Sequence, residues 1–166
     1  GQTGLMYAAQ NGQLQMVQAL ATAGAALGAR DAEGRTAVAY AAIHQRVAAL
    51  QKLVDLGAPL HVACASGRTP LMHAARHDGV ELIDVLLDLG ADVRAVDTDG
   101  WTALMYAAQH GNDAVLEALV RAGGDVRAAD NEGWTALMSA ALTGHSDTVA
   151  KLLRLGANVH AQRQDG

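Results

Sequence analysis

Gly100-Trp101-Thr102-Ala103-Leu104-Met105-Tyr106-Ala107-Ala108 returns 33 residues later as Gly133-Trp134-Thr135-Ala136-Leu137-Met138-Ser139-Ala140-Ala141. Earlier copies open at Gly1, Gly34 and Gly67, the third reading Gly67-Arg68-Thr69-Pro70-Leu71-Met72-His73-Ala74-Ala75. A period of this length outranks any local reading. Each copy is one supersecondary unit that buries its apolar face only against its neighbours. The 166 residues therefore divide into repeats 1–33, 34–66, 67–99, 100–132 and 133–165, a single stacked domain without a linker.

The fourth copy shows what one repeat contains. Thr102 precedes an apolar run, so its hydroxyl can cap the first free N–H groups of a helix. In the third copy Pro70 follows the equivalent Thr69, at the first helical position where a missing N–H is harmless. A first helix is predicted from about Thr102 to His110, stopped by Gly111. A second runs from about Asp113 to Ala122, with Val115, Leu116, Leu119 and Val120 at one-face spacing, and stops at Gly123. Gly124–Glu132 has no helical pattern and ends on the turn signature Asp130-Asn131-Glu132-Gly133. The unit is thus a turn, two antiparallel helices and an extended return, which makes the fold class all-α, a solenoid of stacked helix pairs with protruding turns.

Composition narrows the function. Alanine dominates and phenylalanine is absent, which suits close helix–helix approach. The net charge of −5 offers no footprint for nucleic acid, and the acidity lies in repeats three and four (−4 and −3). A basic partner patch suits those repeats. Cys64 is the only cysteine, so an intrachain disulfide is impossible and a reducing, cytoplasmic setting fits. No apolar run reaches the roughly 20 residues that span a bilayer, so no membrane insertion is expected. Solenoids close with polar capping repeats. Neither end reads as one, so the array is expected to be part of a longer protein, with oligomer formation through its ends left open.

The pattern resembles the ankyrin repeat over the whole chain. The residues that carry the resemblance are Asp97–Thr102 and Asp130–Thr135 as Asp-x-x-Gly-x-Thr, Thr69-Pro70-Leu71, the Ala-Ala pairs, and Leu86-Leu87-Asp88-Leu89-Gly90-Ala91-Asp92-Val93. Departures stand out. The family's histidine after Thr-Pro-Leu is Met6, Met72, Met105 and Met138 here, and Ala39 in repeat two. Its hydrogen bond to the neighbouring turn should be lost, with flexible packing in its place. Repeat two carries Gln45 where a glycine stop belongs, and Cys64 where the turn aspartate belongs. Irregularity is expected at Gln45 and over Ala63–Ser66. Arg94, Arg127 and His160 replace the family's common asparagine, so the asparagine-hydroxylation site of some arrays is not carried over.

The five aromatic residues occupy two columns. Trp101 and Trp134 follow the opening glycine, whereas Tyr7, Tyr40 and Tyr106 take the seventh place, shared with His73 and Ser139. The resemblance puts the second place on the protruding turn and the seventh toward the concave groove. Two tryptophans one repeat apart, roughly 10 Å, form an anchor pair for a partner, since Trp, Tyr and Arg dominate interface hot spots. The competing reading has each indole covering alkyl groups of the next turn. If anchoring is right, Trp101→Ala and Trp134→Ala should weaken a partner with the melting curve nearly unchanged. The tyrosines, beside two alanines, read first as packing. Arg35 and Arg68 share the tryptophan column and would suit acidic groups on a partner.

A third column closes the first helices: Asn11, His44, His77, His110 and Thr143. Rungs roughly 10 Å apart cannot share a metal whose bonds to imidazole are roughly 2.0–2.1 Å. His73 and His77 at i, i+4 have ligand-capable spacing without an obvious third ligand. Solvent-facing polar histidines are the main reading, and a pH-sensitive groove is the other. Glu81, Asp84 and Asp88 form a solvated outward face. Catalysis finds no motif: there is no phosphate loop or nucleophile elbow, His61 is the only histidine close to Cys64 in sequence, and Asp97–Asp99 lacks calcium-loop spacing. No cofactor, metal or small-molecule substrate is expected.

The chain thus reads as a non-enzymatic scaffold for a protein partner. Its expected contact residues are Trp101, Trp134, Arg68, Asp99, Glu132, Arg76, His77, Gln109, His110 and Tyr106. The alternative is an architectural or regulatory segment of a larger protein, such as a kinase, channel or bacterial effector, with contacts made mainly inside it.

Overall fold

A computed structural model describes residues 1–163, so the end of the fifth repeat, 164–165, lies outside them. Among the described residues ten helices follow in chain order: α1 Gly4–Gln10, α2 Leu14–Thr22, α3 Ala37–Ile43, α4 Val47–Asp55, α5 Pro70–Ala75, α6 Val80–Asp88, α7 Ala103–Gln109, α8 Asp113–Arg121, α9 Ala136–Leu142 and α10 Ser146–Arg154. Odd-numbered helices pack on one another in one layer and even-numbered helices in a second, while each hairpin joins the two. Among the described residues no helix is long and apolar enough to cross a membrane.

The recurring threonine fixes where every first helix begins. Thr3, Thr36, Thr69, Thr102 and Thr135 hold extended backbone and accept from the N–H three residues on, each at 3.3 Å. Such a cap is worth about 1 kcal/mol, which matters for helices of only six or seven residues. Met6 and Met72 also return their sulfur to the cap N–H of Thr3 and Thr69, at 3.3 and 3.4 Å. The methionines thus both fill the layer and close the helix start, where the sequence suggested packing alone. Met6, Met72 and Met105 are fully buried among Leu71, Leu104 and the Ala-Ala pairs. The second layer is aliphatic: Leu50, Leu53, Leu82, Ile83, Leu86, Leu116 and Leu119 are sealed from water. Each contributes about 1.5–3 kcal/mol of transfer free energy.

The turns are joined tip to tip. Ala65 N–H donates to Glu33 O, Thr98 N–H to Ser66 O and Asn131 N–H to Asp99 O, at 2.8, 3.1 and 3.1 Å. This close approach explains the opening glycines. Gly100 has φ +89°, and a Cβ there would stand 2.8 Å from Asn131 N. Gly100→Ala is therefore expected to cost about 1–3 kcal/mol, measured by denaturant unfolding. A loss below about 0.5 kcal/mol would contradict the tight turn-on-turn contact.

The irregularity anticipated at Gln45 is present, whereas the Ala63–Ser66 turn keeps the regular backbone, with Cys64 N–H donating to Arg68 O and Gly67 N–H to Cys64 O as in the other tips. Gln45 is the one non-glycine with positive φ among the described residues (56°). Its side-chain amide donates to Ala42 O and Ala74 O, which ties the strained corner to the next repeat. Arg94 and Arg127, in the asparagine column, donate through Nε to Gly123 O and Gly156 O, the carbonyls just past α8 and α10. A cation at the end of the following helix suits the negative pole there.

Candidate functional site

An aspartate organises three of the hairpin tips, as Asp31, Asp97 and Asp130. Asp97 is buried, and its Oδ1 accepts from the N–H of Asp99 and of Trp101 at 3.0 and 2.8 Å. Its Oδ2 accepts from the Tyr106 hydroxyl at 2.6 Å. That hydroxyl accepts in turn from Arg68 Nε at 2.8 Å, and the guanidinium lies 3.7 Å from Asp97. Asp31 repeats the pattern with Glu33 N–H, Arg35 N–H and the Tyr40 hydroxyl, and Gln2 takes the place of Arg68 at 2.5 Å from Tyr40. An Asp–Tyr pair nine residues apart thus clamps a tip to its own first helix, and a side chain from the preceding tip completes it. Burial first, then the Asp97 carboxylate, push the Tyr106 hydroxyl up to about 12.

This geometry corrects one expected contact. Tyr106 is buried and offers no ring to a partner, because the Asp97 clamp holds its hydroxyl inward. Arg68 is half-buried and engaged with that hydroxyl, so the tip network holds it in place. Arg35 is likewise held, 2.8 Å from Asp31 and 2.7 Å from Glu33.

The tryptophans are tied into the turns, as the packing reading has it, and each keeps part of its ring exposed. Trp101 is half-buried; its indole N–H donates to Asp130 Oδ2 at 2.9 Å in the next tip, and its ring tilts against Tyr106 at 5.1 Å. Trp134 is also half-buried but turns its N–H inward to Ser139 Oγ at 2.6 Å. Truncation of Trp101 removes both contacts and is therefore expected to cost stability, so a nearly unchanged melting curve is expected only for surface that makes no such contacts. The exposed parts of both rings border one cleft of about 510 Å³, together with Asp99, Asp130, Glu132 and Arg163. Four expected contact residues (Trp101, Trp134, Asp99 and Glu132) are thus brought together.

Arg76, His77, Gln109 and His110 lie apart from that cleft, at the far ends of α5 and α7. Arg76, His77 and His110 are exposed and Gln109 is half-buried. His110 Nδ1 is 3.0 Å from Tyr106 O. Partial burial and then the charges of Arg76, His110 and His44 hold His77 below its ordinary value. Among the described residues no group of three or more His, Cys, Asp or Glu side chains is placed to hold a metal.

The clamp is broken at the junction of repeats two and three. Cys64 and His73 stand where Asp97 and Tyr106 stand one repeat on. Cys64 Sγ contacts Ser66 Oγ at 3.1 Å, while His73 is buried with no hydrogen-bond partner for Nε2. The sequence reading passed over this pair. The signal was available, since Asp–Tyr recurs at 31/40 and 97/106 and fails together at 64/73.

Comparison with curated proteins finds no match. The family model for ankyrin repeats (three copies) matches residues 5–97 and again 85–163. With its capped first helices, its two helical layers and its bonded turn tips, the chain belongs to the ankyrin-repeat family, whose members generally act as protein–protein interaction modules.

Proposed function

We propose that the array is a non-enzymatic scaffold that binds a protein partner across the tips of repeats four and five, with the exposed ends of α5 and α7 as a flanking contact. The observation that supports it is the shared cleft between two adjacent tips, which presents part of both indoles beside Asp99 and Glu132. Aromatic surface whose polar edge is already satisfied gives contact area at little ordering cost. The tips are held by Asp97 and Asp130, so the cleft is preformed and recognition spends little free energy on ordering it.

The test compares proteins captured by immobilised wild-type array with those captured by two folded variants. Trp134→Ala/Glu132→Ala alters the cleft, and Glu81→Ala/Asp84→Ala alters the convex face. The cleft variant is expected to lose at least about tenfold in captured partner, the effect of removing one hot-spot side chain, and the convex variant to retain it. The reverse pattern removes the reading. Exposed apolar side chains on the outermost helices, Leu14 and Met16 on α2 and Leu142 and Leu153 on α9 and α10, favour a second reading, in which the array packs within a larger assembly.

A further inference from the structure

One arginine of the chain already sits on the cleft. The Arg163 guanidinium carbon lies 5.3 Å from the centroid of the Trp134 ring, and Nη2 stands 2.7 Å from Glu132 Oε2. An indole face attracts a cation through its quadrupole, and a carboxylate accepts from the guanidinium fork. Together they are a complete recognition unit for arginine. The column position of Arg163 is held in the preceding tip by Asp130, which accepts the Trp101 N–H. The array therefore presents the same carboxylate–indole pair twice, Asp99 with Trp101 and Glu132 with Trp134, and fills the second from its own backbone return.

The Glu132 side chain is 71 % exposed and that of Arg163 is 37 % exposed. An ion pair in so much water is weakly held, so it exchanges with an equivalent group from outside. Asp99 and Asp130 leave the rest of the cleft acidic, within repeats that carry the chain's negative excess. That field favours approach of a basic segment. Lysine, a compact and strongly hydrated point charge, gains less from an indole face than a planar guanidinium does.

Resting on the turn-tip reading above, we propose that the cleft is a seat for an arginine side chain from a basic partner segment. Arg163 is its internal occupant, displaced when the partner binds. The chain has two tryptophans and both border the cleft, so their emission reports this site without a label. The probe is an acetylated and amidated Gly-Arg-Arg-Gly peptide, compared with Gly-Lys-Lys-Gly and with the neutral citrulline analogue. The arginine peptide should titrate the emission, the lysine peptide should bind roughly fivefold more weakly and citrulline not at all. Arg163→Ala should tighten the arginine peptide roughly fivefold, and Glu132→Gln should weaken it by a similar factor. Glu132 is exposed and Arg163 half-buried, and neither belongs to the two helix layers, so both variants leave the layers intact. Equal binding of lysine and arginine, or an Arg163→Ala variant that binds no more tightly, overturns the proposal. If no peptide binds while Trp134→Ala/Glu132→Ala still loses its captured partner, the turn-tip surface stands and the arginine chemistry falls.

Discussion

Asp97→Ala is expected to lower the unfolding free energy of the array by about 3–5 kcal/mol. The carboxylate is 6 % exposed and serves four groups at once: the N–H of Asp99, the N–H of Trp101, the Tyr106 hydroxyl and the Arg68 guanidinium. Alanine leaves three donors and one cation without their acceptor in a site that excludes water, and each stranded buried donor costs about 1–3 kcal/mol. Asp97→Asn keeps an oxygen for the two N–H donors and should lose less than the alanine variant. Urea unfolding followed by circular dichroism measures the difference. A loss below about 1 kcal/mol for Asp97→Ala would mean that the clamp is ornamental.

Acid should weaken repeat three before it weakens the others. His73 is buried without a partner for Nε2, and burial, then Arg68, Arg76 and Arg35, hold it at about 4 instead of 6.5. The folded state therefore binds fewer protons than the unfolded chain between these values, and stability falls as the pH drops from 6.5 toward 4. Below about 4 the loss levels off, at about 3 kcal/mol in total. Asp31 works in a lower window. Burial opposes its ionisation, but the Tyr40 hydroxyl, the Arg35 N–H and the Arg35 guanidinium outweigh it and hold the carboxylate below its usual range. Its contribution is present above 3.8 and lost only as the pH falls below that value. The variant Cys64→Asp/His73→Tyr, which writes the chain's own Asp–Tyr pair into the junction of repeats two and three, should flatten the slope between pH 6.5 and 4. An unchanged slope in that variant would place the acid sensitivity elsewhere.

The fold was legible because its determinants are local and repeated. Threonine caps, glycine stops and the aliphatic face of each second helix are set within one copy, and five copies average out the exceptions. Helix α7 begins and ends at the predicted Thr102 and His110 caps. The site was less legible, because its decisive contacts cross from one repeat to the next. Nothing in the spacing of Trp101 says that its N–H ends on Asp130, or that Trp134 turns to Ser139 because the next tip offers Arg163 in place of an aspartate. Tyr106 was misread for a related reason. The resemblance turns the seventh place toward the concave groove, but Asp97 accepts the Tyr106 hydroxyl at 2.6 Å and draws it inside. The tryptophan column is fixed in the turns and still leaves surface at the cleft: one edge of each indole is held by a hydrogen bond, and part of the remainder borders the cleft.

The most direct test is hydroxyl-radical footprinting of the array, free and loaded with a partner captured by the wild type. The account predicts that Trp101 and Trp134 become protected on loading, while Leu87 of α6 and Leu89 just after it, half-buried in the second helix layer, react as before. Protection confined to the convex helices, with both tryptophans as reactive as in the free array, would contradict it.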